Sequence, residues 1–118
     1  MATIGIIGSR RRDTAEDLEA VKALFLTIYT KGDNIVSGGC PKGGDRFAEI
    51  IAKEQDIPIK IYPADWKRYG RGAGFKRNTY IAADADILIA CVSEDRTGGT
   101  EDTIHKFLVT GKKHLFLV

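Results

Sequence analysis

Apolar residues in this chain alternate between short continuous runs and longer stretches where they recur every third or fourth position. The runs at 3–8, 34–37, 58–62, 86–92 and 114–118 are mostly β-branched or aromatic and predict five strands. The first, fourth and fifth are almost continuously apolar, as expected of strands covered on both faces. Leu18, Val21, Leu24, Phe25 and Ile28 fall at helical spacing, opened by Asp13 and Thr14 with Glu16 behind as a cap and closed by Gly32. Phe47, Ile50 and Ile51 mark a second helix, with Asp45 near its start. A third is expected over 75–83. A fourth is expected over 100–109, with Ile104, Phe107 and Leu108 inward and Gly111 after it.

The order is strand–helix repeated and closed by a strand, the signature of an open parallel sheet between helical layers. The expected architecture is a single α/β domain over 1–118, a Rossmann-like three-layer αβα sandwich of five parallel strands and four helices. Right-handed crossovers leave few topologies, of which 3-2-1-4-5 is preferred and flavodoxin-like 2-1-3-4-5 is the alternative. The connections are unequal. Those leaving helices are short; those leaving strands are long and rich in glycine and arginine. In such a sheet all strand-to-helix loops lie at the carboxyl edge, where ligands bind. The unusual residues are therefore concentrated on one edge.

Composition narrows the class further. At 118 residues, 43% hydrophobic and 29% charged, the chain suits one soluble domain with a real core and no second substrate domain. No apolar run approaches the roughly 18 residues a membrane span needs, and no signal peptide is evident, so a cytoplasmic protein without membrane contact is expected. Cys40 and Cys91 suit reduced thiols, and no metal-ligand spacing is present. A net charge of +2 does not by itself imply nucleic acid. Its distribution matters more: Arg10, Arg11 and Arg12 form one basic run, and Lys67, Arg68, Arg71, Lys76 and Arg77 form another.

Four loops carry candidate chemistry. Gly8, Ser9 and Arg10 follow the first strand, where glycine admits close backbone approach and Ser9 and Arg10 can bind phosphate. This is not GxGxxG, and no GxxxxGK[ST] loop exists, which disfavours ordinary dinucleotide binding and triphosphate hydrolysis. The second loop holds Ser37, Gly38, Gly39, Gly43, Gly44 and Asp45, an apparent anion nest before a helix. Asp45 suits either a helix cap or a ribose hydroxyl. Cys40 has no histidine partner in sequence and is not assigned as a nucleophile.

The third loop, residues 64–74, is long, basic and aromatic. Trp66 can stack on a base, with Arg71, Arg77 and Asn78 toward phosphate, or it can plug the edge of the core. Arg77, expected in the first turn of the third helix, opposes the helix dipole, which suggests another role. In the fourth loop Gly98, Gly99 and Thr100 offer backbone donors, a hydroxyl and a helix N-terminus to an anion, with Thr100 also a candidate N-cap. His105 and His114 are assigned no chemistry.

The ordered set Gly8-Ser9-Arg10, Ser37-Gly38-Gly39, Gly43-Gly44-Asp45, Asp65-Trp66, Arg77-Asn78 and Gly98-Gly99-Thr100 resembles the SLOG superfamily, closest to its YspA-type branch. The resemblance implies a Rossmann-like fold, a pocket for a nucleotide or nucleotide-derived ligand, and frequent homodimers. Many such proteins act as sensors or effector partners in bacteria and phages. Related lonely-guy phosphoribohydrolases cleave the glycosidic bond of nucleoside monophosphates with an arginine and a glutamate. Arg77 is the matching arginine here, but Thr103 stands at the glutamate position. Glu101 and Asp102 are the nearest carboxylates and, with Arg77, the catalytic candidates. One residue along a helix rotates a side chain by about 100°, so both are out of register.

The leading expectation is a nucleotide-binding module, with N-glycosidic hydrolysis as the alternative. Single-stranded nucleic-acid binding is a second alternative, since the related DprA family binds such DNA. No cofactor is required; a magnesium ion is compatible with a bound phosphate.

Overall fold

The computed structural model describes all residues, Met1–Val118. Five strands, β1 (Thr3–Gly8), β2 (Asn34–Ser37), β3 (Ile59–Ile61), β4 (Ile87–Cys91) and β5 (Leu115–Leu117), form one parallel sheet ordered 3-2-1-4-5. Four full helices, α1 (Ala15–Ile28), α2 (Gly44–Gln55), α4 (Ala73–Asp84) and α5 (Gly99–Val109), make the connections. A short helical turn, α3 (Trp66–Tyr69), and a 3-10 turn, Gly70–Gly72, precede α4, so the third loop is folded rather than irregular. Asp65 starts that turn by accepting the Arg68 backbone N–H. No helix is long and apolar enough to cross a membrane.

Alternation along the strands divides the core. Ile4, Ile6, Ile35 and Ile89 pack under Val21 and Phe25 of α1 and Phe47 and Ile51 of α2. Ile7, Val36, Leu88 and Ala90 face Ile81 of α4 and Ile104 and Phe107 of α5. Phe25, Phe47 and Phe107 are fully buried, each worth about 1.5–3 kcal/mol of transfer free energy. β5 departs from expectation. It is one of the two edge strands, and Phe116 and Leu117 stay 37% and 46% exposed instead of covered on both faces.

Helix ends also differ in detail from the sequence pattern. The α1 capping box is Thr14 with Asp17, not Glu16, because the box needs the third helical residue. The helix stops at Ile28, and Gly32, at φ +101°, serves the turn into β2 instead of closing the helix. α4 lacks a basic residue in its last turn. Lys112 supplies the charge from beyond α5, its Nζ donating to the carbonyls of Ala82, Ala83 and Ala85 at 2.5–3.1 Å.

The start of α2 lies against the backbone at the end of β1. A methyl group on Gly44 would fall inside the backbone of Ile7 and Gly8, and one on Gly43 would strike the carbonyl of Ser9. These glycines let a helix lie directly on the end of β1. Gly44→Ala is therefore expected to destabilise the protein by about 3 kcal/mol or more, since backbone must yield. Urea unfolding checks this; a loss below about 1 kcal/mol would contradict the packing described.

Candidate functional site

After β1 the chain leaves for the α1 face of the sheet, and after β4 it leaves for the α5 face. β1 and β4 are neighbours, so a crevice opens between the two exits. A cavity of about 460 Å³ lies there. Gly8, Ser9 and Arg10 line it from the first loop, and Gly98, Gly99 and Thr100 from the fourth. Trp66, Arg71, Arg77 and Asn78 line it from the α3–α4 segment, and Asp45 from α2. Eleven of the residues singled out in sequence thus share one wall.

The remaining candidates sit behind it. Ser37 and Gly38 are buried beneath Asp45 and Arg77, and a methyl group on Gly38 would lie 2.7 Å from Asp45 Oδ2. Gly39 does not line the cavity. Gly43 and Gly44 are committed to packing on β1 and do not form the expected phosphate nest. Gly43 N–H already donates to Asp13 Oδ1 at 2.7 Å, and Arg46 Nε donates to the same oxygen at 2.8 Å. The backbone donor of Gly43, then Arg46, holds the Asp13 carboxyl below its usual range. Asp13 occupies the anion position at the α2 N-terminus.

The N-terminus of α5 is open by contrast. Its N-cap is Gly98, at φ +99°, with no side-chain cap; Thr100 lies inside the first turn and is not the cap. The leading N–H groups have no internal acceptor within the helix and carry the positive end of its dipole. The two acids that follow are turned elsewhere. Glu101 makes a two-point ion pair with Arg96 at 2.8 and 2.9 Å. Asp102 accepts from Asn78 Nδ2 at 3.1 Å and pairs with Lys106 at 2.9 Å. Neither lines the cavity, whereas Thr103 does.

The three consecutive arginines have separate tasks. Arg12 is structural, donating to Asp17 and to the carbonyls of Val92 and Val118. Arg11 grips both oxygens of Asp95 at 2.7 and 2.8 Å and also reaches Ser93 and Thr97, tying the first loop to the fourth. That guanidinium, helped by Thr97 and Ser93, holds the Asp95 carboxyl far below its usual range. Arg10 makes no hydrogen bond or ion pair and lines the cavity. Sequence reasoning missed Arg11, Cys40, Phe75, Thr97 and Thr103 as wall residues. Arg11 and Thr97 were legible as members of loops already flagged.

Arg77 sits in the second turn of α4, because the helix begins two residues earlier than the apolar spacing indicates. Its Nη1 donates to the carbonyls of Gly38 at 2.5 Å and Tyr62 at 3.3 Å, and its Nε to Asn78 Oδ1 at 3.1 Å. Asn78 in turn donates to the carbonyl of Gly99 at 3.2 Å. Adjacent residues of α4 therefore hold the second and fourth loops in register. Trp66 is 56% exposed, so it forms a wall of the cavity rather than a plug in the core.

Asp45 does not cap α2. Its side chain turns back into the loop, Oδ2 accepting the Cys40 N–H at 3.1 Å and Oδ1 lying 3.0 Å from Ser37 Oγ. Ser37 Oγ also lies 2.6 Å from the carbonyl of Ile6. A hydroxyl has one proton for those two acceptors, and a proton on the carboxyl satisfies both contacts. Burial pushes the Asp45 carboxyl up in the same direction, against the Cys40 N–H, Ser37 and Arg77. Both cysteines are free, and no three His, Cys, Asp or Glu side chains converge as a metal site.

Comparison of the chain with protein-family models, with curated proteins and with solved structures finds no match. Because Asp45 binds its proton more tightly folded than unfolded, its contribution to stability is present below about pH 4 and is lost as pH rises through the folded-state value. Urea midpoints measured across that window should fall with rising pH more steeply for wild type than for Asp45→Asn. Parallel pH profiles in the two proteins would show that Asp45 is not the group responsible.

Proposed function

We propose that the cavity binds a nucleotide or nucleotide-derived ligand through its phosphate, and that the protein serves as a binding or sensing module. The observation that carries this reading is the open α5 N-terminus at the switch point, beside arginines that have no carboxylate partner. Free helix N–H groups and a positive dipole end suit a phosphate oxygen. Arg10 adds a guanidinium free for a two-point contact. Trp66 and Phe75, both more than half exposed on the cavity wall, suit the face of a base. The motif resemblance to the SLOG superfamily supports the same ligand class.

Hydrolysis of the glycosidic bond is less well supported. It calls for a carboxylate at the reacting carbon, and both Glu101 and Asp102 are engaged outside the cavity. Asp45 is the one acid on the wall, and it is bound to its own loop.

Arg10 is the residue to test. Arg77 is tied to two backbone carbonyls, so its removal mixes binding with folding. A thermal-shift panel of nucleoside mono- and diphosphates should raise the melting temperature of wild type, since ligand at 100 times its Kd adds about 2.7 kcal/mol. Arg10→Ala should leave the ligand-free melting temperature unchanged and weaken binding by about tenfold. Silence across the panel, or equal affinity in the variant, would overturn the assignment.

A further inference from the structure

The charges on the cavity wall do not balance. Four arginines, Arg10, Arg11, Arg71 and Arg77, line it together with one acid, Asp45. Arg11 is neutralised by Asp95. Arg10, Arg71 and Arg77 have no ion-pair partner, although Arg11, Arg12, Arg46 and Arg96 all do. The sole acid compensates little, since burial favours its neutral form. Like charges gathered around one cavity repel, weakly where the guanidinium groups are exposed to water as those of Arg10 and Arg71 are. A ligand bearing the opposite charge removes that repulsion.

The three cations also arrive from different layers. Arg10 belongs to the loop leading to α1 on one face of the sheet. Arg71 and Arg77 belong to the 3-10 turn and α4 on the other face. The Arg71 side chain has no hydrogen-bonding partner, and Arg71 is flanked by Gly70, at φ +56°, and Gly72, where a side chain would meet nothing within 4 Å. Arg77 still has Nη2 free after its bonds to Gly38, Tyr62 and Asn78. A phosphate on the α5 N-terminus shares the cavity with Arg10. It leaves the positive charge on the α4 side of the cavity unmatched.

We infer that the ligand carries two linked phosphates, the first at the α5 N-terminus with Arg10 and the second against Arg71 and the free edge of Arg77. The ligand class is a nucleoside diphosphate or a nucleotide joined through a diphosphate. A terminal monophosphate brings about two negative charges on one phosphate; a terminal diphosphate brings about three, and an internal diphosphate brings about two spread over both phosphates. The terminal form matches the three unpaired guanidinium groups in number, and either form offers a second anionic centre to the arginines on the α4 side of the cavity. The inference rests on the nucleotide reading above and specifies which nucleotides.

Calorimetric titration of wild type with AMP, ADP and ADP-ribose at one fixed ionic strength tests it, with Arg71→Ala and Arg71→Lys alongside. At least one diphosphate should bind about tenfold more tightly than AMP, the worth of one charge-assisted contact. ADP alone gaining affinity identifies a terminal diphosphate; ADP-ribose alone identifies an internal one. Arg71→Ala should bring the ratio of diphosphate to AMP affinity close to one, and Arg71→Lys should recover part of it. Equal affinity for AMP and both diphosphates in wild type would overturn the inference while leaving the nucleotide reading intact. So would an undiminished ratio in Arg71→Ala. Absence of binding by all three would overturn the nucleotide reading itself.

Discussion

A parallel sheet joined by right-handed crossovers must send its chain to opposite faces somewhere along the strand order, and at that point nothing bridges the carboxyl edge. Here the divergence falls between β1, the central strand of the 3-2-1-4-5 sheet, and its neighbour β4. Every feature of the site follows from filling or leaving open that gap. Arg11 and Asp95 span it as a tie between the first and fourth loops. Arg77 and Asn78 reach in from α4 to hold the second and fourth loops by their carbonyls. What remains is a cavity lined by four arginines and one acid, with Trp66 and Phe75 among its apolar wall.

Two helices begin at glycine pairs on this edge, and they are chemically opposite. At α2 the glycines are needed for contact with the β1 backbone, and the positive end of the helix is met by Asp13. At α5 the flanking glycines touch nothing that requires them to be small, and no side chain caps the helix. A fold gains by capping its helices, typically about 1 kcal/mol each. Leaving α5 uncapped, with both nearby acids drawn to Arg96 and Lys106, keeps donors available for an external anion.

Much of this is legible in the sequence alone. Strand periodicity and the lengths of the connections yield the parallel αβα class and narrow the strand order to two, of which the preferred 3-2-1-4-5 is the one the structure has. The same lengths place the glycine–arginine loops on one edge. The failures share a cause. Gly43 and Gly44 look like an anion nest, yet close packing against β1 is invisible to a local reading. Arg11 and Arg12 have partners more than 80 residues away, among them Asp95 and Val118, so a local reading does not show that these two arginines are tied down. Asp45 resembles a helix cap by position, but its carboxyl turns to Cys40 and Ser37. Thr103 replacing an expected glutamate was readable, and the structure puts that residue on the cavity wall and its acidic neighbours off it.

The most direct test of the central claim is an amide NMR titration of the protein with ADP, following each backbone N–H. The account predicts that the largest shifts fall on Gly99, Thr100 and Glu101 at the start of α5, while Gly43 and Gly44, whose helix end already holds Asp13, barely move. Shifts concentrated at Gly43 and Gly44, or none on either helix start at saturating ligand, would contradict it.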